Sequence, residues 1–382
     1  MSKASVRPEI AAIYCPLWHN YDHASSWKGE GWCEWELLKS AIPRFPGHAL
    51  PLEPEWGCFD ESDPKWTARE IALARDHGID VFLFDWYWYS GVRIMEEALE
   101  CGFLKAPNRR RLKFALMWAN HNWADYFPAP FGKPWNSWLP SRHSPDDLER
   151  VMDYAARRYF RRRNYWRVDG RLFFSVFEPV RFVDELGGSR ETRRLLARVD
   201  RRLRAAGLPP VHWNAMVWDA TPVEKLDAAG FHSTTTYNIT RAGKPASDLV
   251  QSYADLLDAH RRHWRTLSRT PLTHCPVVTM GWDVTPRCEK TVPWPFPPAP
   301  GKDTHDYPYG HMITGNTPEL FERLCRLAGE HVAAQPVGRR RPFAIFVNAW
   351  NEWTEGSYLL SEKRTGTAYL EALRRAKRTP CP

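Results

Sequence analysis

The chain has 382 residues, a net charge of +8 and 20 tryptophans, with 43% hydrophobic and 26% charged residues. That composition excludes a disordered or fibrous chain, and the length suits one large barrel or two ordinary domains. No apolar run reaches the roughly 18 residues of a membrane span, and the stretch Met1–Tyr14 lacks an apolar core after its charges, so neither a membrane segment nor a signal peptide is expected and a cytoplasmic location is.

The Arg-rich stretches 157–163 and 193–204 read as solvated helix faces. No zinc-finger spacing or RNA-binding motif accompanies them, so no nucleic-acid partner is expected. The positive field would steer an anionic polysaccharide. Eight cysteines without C-x-x-C spacing read as free thiols rather than a disulfide framework. Nothing in the chain specifies an oligomeric state. Tryptophan in such number points to a surface that binds something flat and partly apolar, for which carbohydrate is the natural candidate.

In chain order, Ile10–Tyr14 is a first apolar strand. A long loop, 17–60, follows and holds Glu34 and His48 among tryptophans and glycines; loops of this length are usually functional. Asp63-Pro64 caps a helix that stops at Gly78. Ile79–Trp86 is the second strand, and a helix is expected near Val92–Glu100. Leu112–Trp118 is the third strand, leading to Ala119-Asn120-His121-Asn122-Trp123. Ser144-Pro145 starts a helix to about Arg163. Arg171–Phe177 is a strand delivering Glu178, and one long helix is expected over Val183–Ala206. Val211–Val217 and a weaker Gly230–Thr236 come next, the latter leading to Tyr237. A helix from about Ser247 to Trp264 precedes the strand Cys275–Met280, which delivers Trp282 and Asp283. Thr317-Pro318 caps a further helix, Phe343–Val347 is the eighth strand, and Gly366–Lys377 is a closing helix.

Strand–helix alternation implies parallel pairing with right-handed crossovers, and eight repeats imply an α/β fold, a single (β/α)8 TIM barrel over residues 1–382 with long aromatic-rich βα loops. Polar residues fall just after strands and not before them. Asp85, Asn120, His121, Asn122, Trp123, Glu178, Asp219, Tyr237, Asp283 and the Glu352/Glu355 pair would therefore gather on one barrel face.

The last strand runs straight into Asn348-Ala349-Trp350-Asn351-Glu352-Trp353-Thr354-Glu355-Gly356. A carboxyl group against indole is partly desolvated, which raises its pKa and suits it to donate a proton. Two carboxylates in an aromatic cleft suggest glycosidic-bond chemistry. The 14 histidines include no H-x-H or H-E-x-x-H arrangement for a catalytic metal.

Asn351–Gly356, NEWTEG, resembles the NEWxEG signature of glycoside hydrolase family 99, the endo-α-mannosidases. More of the chain resembles the WbsX-like proteins, relatives often described as glycosyltransferases of polysaccharide gene clusters. The matching pieces are Gly31–Trp35, Pro43–His48, Gly78–Trp88, Trp118–Trp123, Gly281–Arg287 and Ala349–Gly356, in the family's order. The resemblance implies a barrel without metal or cofactor that hydrolyses an α-linked oligo- or polysaccharide with retention. It makes Glu355 the general acid/base, and Glu352 the group that deprotonates the sugar 2-hydroxyl to give a 1,2-anhydro intermediate. Glu34, His48, Asp85, Trp118, Asn120, His121, Asn122, Trp123, Glu178, Tyr237, Trp282, Asp283, Trp350 and Asn351 would bind substrate, with Trp350 and Trp353 as an apolar wall. Two departures stand out: His121 occupies a position where relatives often carry Glu, and Ser357–Leu360 replaces the TQIE of endo-α-mannosidases. A glycosyltransferase is the second reading, although the chain has no D-x-D beside a strand and no Gly-rich phosphate loop. A non-catalytic carbohydrate-binding barrel is the third.

Overall fold

The computed structural model describes residues 7–125, 127–245, 248–336 and 341–378. Nine strands form its main parallel ladder: β1 (Glu9–Tyr14), β2 (Val81–Tyr89), β3 (Lys113–Trp118), β4 (Arg171–Val176), β5 (Val211–Met216), β6 (Ser233–Thr235), β7 (Thr273–His274), β8 (Val277–Thr279) and β9 (Ala344–Asn348). Their order is β7-β6-β5-β4-β3-β2-β1-β9-β8, with every neighbour parallel. The strands are buried almost throughout, which is why they read as continuous apolar runs rather than alternating ones.

β7 and β8 stand at opposite ends of that order but are separated in the chain only by Cys275 and Pro276. Cys275 N–H donates to Thr234 O at 2.8 Å, and Pro276 O accepts from Phe346 N–H at 2.8 Å. Pro276 removes one ladder donor, and in place of one strand over Cys275–Met280 the chain has two short ones on either side of Cys275-Pro276, Thr273–His274 before the expected range and Val277–Thr279 within it.

The helices start where the capping residues lie. The Asp63 carboxylate accepts from Lys65 N–H at 2.8 Å ahead of α1 (Pro64–Asp76). The Ser144 hydroxyl accepts from Asp147 N–H ahead of α2 (Pro145–Ala155), and Thr317 does the same for Leu320 ahead of Pro318–Ala333. Each puts proline at the first helical position, where its missing N–H costs nothing.

Three expected helices differ. Of the helix expected near Val92–Glu100, the first part, Val92–Ile94, is a strand, because Ser90-Gly91 turns the chain back and pairs Ile94 with Tyr87 of β2, and the helical turn there is Ala98–Gly102. The long helix over Val183–Ala206 is two helices, Pro179–Glu185 and Ser189–Ala205, broken at Gly187-Gly188, both at φ 90°. Ser247 lies outside the described residues; the helix expected there runs Tyr253–Leu267, after a strand Val250–Ser252 that pairs with Met312–Thr314. A helix at Val223–Ala229 joins β5 to β6 and carried no clear sequence signal. Among the described residues no helix is long and apolar enough to cross a membrane.

The loop 17–60 contains two short helices, Asp22–Lys28 and Trp35–Ser40. A second, small apolar cluster of Ala129, Cys288, Val292, Phe296 and Tyr309 with Leu249 ties the loops after β3 and β8 together. These loops wall the C-terminal end of the strands.

Candidate active site

Every strand hands over to its loop at the same end of the sheet, as parallel pairing requires. There a cavity of about 310 Å³ is lined by Asp85, Tyr237, Arg287, Tyr307, Glu352 and Glu355, with aromatic walls from Tyr87, Trp123, Phe127, Phe177, Trp218 and Trp282.

The centre is Arg287, buried in the short turn Thr285–Arg287. Its guanidinium donates to three carboxylates: Glu34 at 2.9 and 2.8 Å, Glu352 at 3.2 Å, and Glu355. Burial opposes its charge, but Glu34, Tyr307, Glu355 and Glu352 outweigh that and hold its pKa well above the ordinary value. The Phe127 ring lies 5.1 Å from the guanidinium.

Glu352 follows β9 and is fixed at both oxygens. Tyr237 O–H lies 2.5 Å from Oε2, and Arg287 donates to Oε1. Glu355 accepts on Oε1 from Arg287 and from Tyr307 O–H at 2.9 Å. Burial and the neighbouring charge of Glu352 push its pKa up to about 8, against the pull of Arg287. One carboxyl is thus held as an acid beside another held by two donors. Asp85 is also pushed well up, by burial and then by Glu352. Glu34, shielded behind Arg287 and Thr354, is raised by burial.

The glycine of NEWTEG has a structural reason. Gly356 sits at φ 64°, and a Cβ there would meet Asp283 at 2.9 Å. A Cβ on Gly281 would meet Gly356 O at 2.3 Å. These two glycines let the loop after β8 touch the loop after β9, where Asp283 N–H donates to Glu355 O at 2.7 Å. The contact brings Arg287 to the glutamates.

Several expected substrate contacts lie elsewhere. Trp350 is fully buried and donates its indole N–H to Glu70 at 2.8 Å, and Trp353 stacks on Tyr358 at 4.2 Å; neither lines the cavity, so the apolar wall comes from other strands. The Asn351 side chain bonds both backbone atoms of Cys15 and pins β1 to the loop after β9. Trp118 is buried against His143 and Phe182. Asn120 pairs with the backbone of Glu178, and Asn122 accepts from Ser141 N–H and the Arg181 guanidinium. Glu178 accepts from Arg181 at 3.2 Å, outside the lining. His48 donates from Nε2 to Asp283 at 2.7 Å, since its Nδ1 already accepts from Arg44 N–H. Asp283 in turn accepts from Thr285. These residues support the lining rather than form it. Asp85, His121, Trp123, Tyr237, Trp282, Glu352 and Glu355 line the cavity, with Glu34 directly behind.

His121 donates from Nδ1 to Asn122 O at 2.9 Å, because a carbonyl only accepts. Burial lowers its pKa, so the ring is neutral and keeps Nε2 as an acceptor. Two residues that matter most were missing from the site expected from sequence. Arg287 closes the GWD-x-TPR stretch, and its proximity to a cluster of glutamates is the signal that was available. Tyr307, in a loop without a strand in front of it, carried none.

The family described as Glycosyltransferase WbsX matches residues 10–294 and 301–373. WxcX proteins from two strains of Xanthomonas campestris pv. campestris are 28% identical over 96% of this chain, which spans 49% of their length. The chain thus covers about half of the curated relatives it matches. Among solved structures, the family 99 endo-α-mannosidase of Bacteroides thetaiotaomicron aligns over 98% of this chain and 96% of its own, at TM-score 0.56 and 15% identity. A glycoside hydrolase-like protein aligns over 99% and 96%, at TM-score 0.60 and 12% identity. These likenesses establish a shared fold.

Proposed function

The chain belongs to the family described as Glycosyltransferase WbsX, and from that premise we propose that it is a retaining glycoside hydrolase acting on an α-linked oligo- or polysaccharide. The observation that carries this reading is the pair Glu352/Glu355 on one cavity, with burial and Glu352 pushing the pKa of Glu355 up to about 8 and Glu352 gripped by Tyr237 and Arg287. Glu355 gives its proton to the glycosidic oxygen as that bond to C1 breaks. Glu352 takes the proton of the sugar 2-hydroxyl, whose oxygen closes on C1 to form a 1,2-anhydro sugar. Water then opens this ring at C1, passing its proton to Glu355, while Glu352 returns a proton to the 2-oxygen. Glu355 thus serves as acid and then base.

The fold we read is a closed (β/α)8 barrel with one catalytic domain. The bonding of Thr273–Thr279 to β6 on one side and β9 on the other supports closure. Trp123, Trp282 and Tyr87 offer ring faces to a sugar, and neutral His121 accepts from a sugar hydroxyl. A second cavity of about 560 Å³ shares Tyr307 with the first and has the exposed Trp135 at its rim. Two joined cavities suit a substrate of several sugar units.

The family's description favours a second reading, transfer from a nucleotide sugar. The test is incubation of wild type, Glu352→Gln and Glu355→Gln with α-linked oligosaccharides and bacterial polysaccharides, without nucleotide sugar. Sugar release by wild type that both variants lose supports hydrolysis by this pair. Turnover only after nucleotide sugars are added overturns it in favour of transfer.

A further inference from the structure

The floor of the cavity raises a question of proton count. The Tyr237 hydroxyl lies 2.5 Å from Glu352 Oε2 and 3.0 Å from Asp85 Oδ2. Both are hydrogen-bond distances. A phenol carries one proton and a carboxylate carries none. Two bonds joining three oxygens therefore need two protons, one more than the tyrosine holds.

The second proton has two possible carriers. Glu352 already accepts a charge-assisted bond from the Arg287 guanidinium on its other oxygen. Among the described residues no cation pairs with Asp85. The groups that face it are Tyr237, Cys15, Glu352 and, further off, Glu355. The Cys15 sulfur and the Glu352 and Asp85 oxygens lie within 4.8 Å of one another. Asp85 is 5% exposed, and its Oδ1 is buried without a hydrogen-bond partner. An ionised carboxylate in that position would face another anion with one shared donor, whereas a carboxylic acid would satisfy every distance.

We propose that Asp85 is a neutral carboxylic acid that donates from Oδ2 to the Tyr237 oxygen, so that the Tyr237 proton is committed to Glu352. Asp85 is then a positioning residue: it acts on the reaction through Tyr237 by keeping Glu352 ionised and aimed. Burial and the charge of Glu352 act in the same direction, against ionisation of Asp85. The consequence for catalysis rests on the hydrolase reading, whereas the protonation state does not.

The experiment is infrared spectroscopy of the whole protein without substrate near neutral pH, with aspartate carboxyls labelled with carbon-13 so that glutamic acids drop out of the isotope difference. Wild type is compared with Asp85→Asn. The expected difference is loss of one labelled carboxylic-acid carbonyl stretch and of no labelled carboxylate stretch. Loss of a carboxylate stretch instead overturns the proposal. Tyr237→Phe is measured in parallel and keeps the test sound if Asp85→Asn fails to fold. Removing the acceptor should move the Asp85 acid band, and an unmoved band overturns the relay.

Activity gives a separate readout. Asparagine can donate to Tyr237 as the neutral acid does, so Asp85→Asn should keep kcat within about tenfold of wild type, while Asp85→Ala loses about a hundredfold or more. Equal losses in the two variants overturn the donor role. Absence of cleavage by wild type itself would overturn the hydrolase reading and leave the infrared result to decide the protonation of Asp85.

Discussion

The segment after β1 supplies a buried acid to each of two clusters, Glu61 to one and Glu34 to the other, and the clusters differ in how their oxygens are satisfied and in whether they face a cavity. In the first, Glu61 accepts from Trp18 N–H at 2.8 Å, from His19 at 3.0 Å and from Asn351 at 3.3 Å. Glu70 accepts from the Trp350 indole at 2.8 Å and from Tyr14 O–H at 3.0 Å. Every oxygen has a partner, and neither acid is among the residues lining the 310 Å³ cavity. In the second, Glu34, Glu352 and Glu355 surround Arg287, and Asp85 Oδ1 and Glu34 Oε2 are buried without partners beside a 310 Å³ space. Burial pushes Glu70 up to about 8, as it does Glu355. A strongly raised carboxyl pKa therefore does not mark a reactive acid by itself. What differs between the two clusters is the open cavity and the unsatisfied oxygens beside it.

The sharpest test of that contrast is at the open cluster. Glu355→Gln and Glu352→Gln should each lower cleavage by about 10³-fold or more, in the range of lost acid–base catalysis, with thermal unfolding close to wild type. Retained cleavage in either variant would remove that residue from the mechanism.

Arg287→Met should damage both stability and activity. It leaves buried carboxylates without their cation, which costs about 3–5 kcal/mol when one partner of a buried pair is removed. The denaturant midpoint reads the loss, and an unchanged midpoint would mean that the acids relieve their charge by taking up protons.

At the closed cluster the effects should separate. Glu70→Ala leaves the Trp350 and Tyr14 donors unpaired and should destabilise by about 1–3 kcal/mol, while the folded protein cleaves at the wild-type rate. A loss of kcat as large as that of Glu355→Gln would erase the distinction between the clusters.

The smallest effect is the pH profile. Burial and Glu352 favour the neutral form of Glu355, so its proton is present below about pH 8 and lost above it. As general acid it should support cleavage on the acidic side, with kcat falling as pH rises through about 8. An alkaline limb near the ordinary glutamate range would mean that the site is wetter, and Glu355 less buried, during turnover.

Much of this was legible in the chain because it depends on local chemistry. Apolar runs such as Phe82–Phe84 and Ala344–Val347 form strands because both of their faces are covered. Asp63-Pro64, Ser144-Pro145 and Thr317-Pro318 cap helices because the side-chain oxygen and the proline ring satisfy the first turn wherever it lies. Parallel order then places Glu352, Glu355, Asp85 and Tyr237 at one end.

Tertiary structure alone decided which side chains of a single motif face the cavity. Within Trp350–Glu355, two indoles and an amide turn to the core and two carboxylates turn to the cavity, because the two-residue strand Asn351–Glu352 runs into the short turn Trp353–Glu355 and neither strand nor helix periodicity holds across it. Tertiary structure also supplied Arg287, which is 65 residues from Glu352 in sequence and 3.2 Å from it in space. The sequence by itself determined the long buried strands, the caps and the pair of glutamates, since these follow from neighbours along the chain. The cation between the acids, the two orphaned oxygens and the division of one motif into core and site arise from contacts between distant loops, which no local pattern encodes.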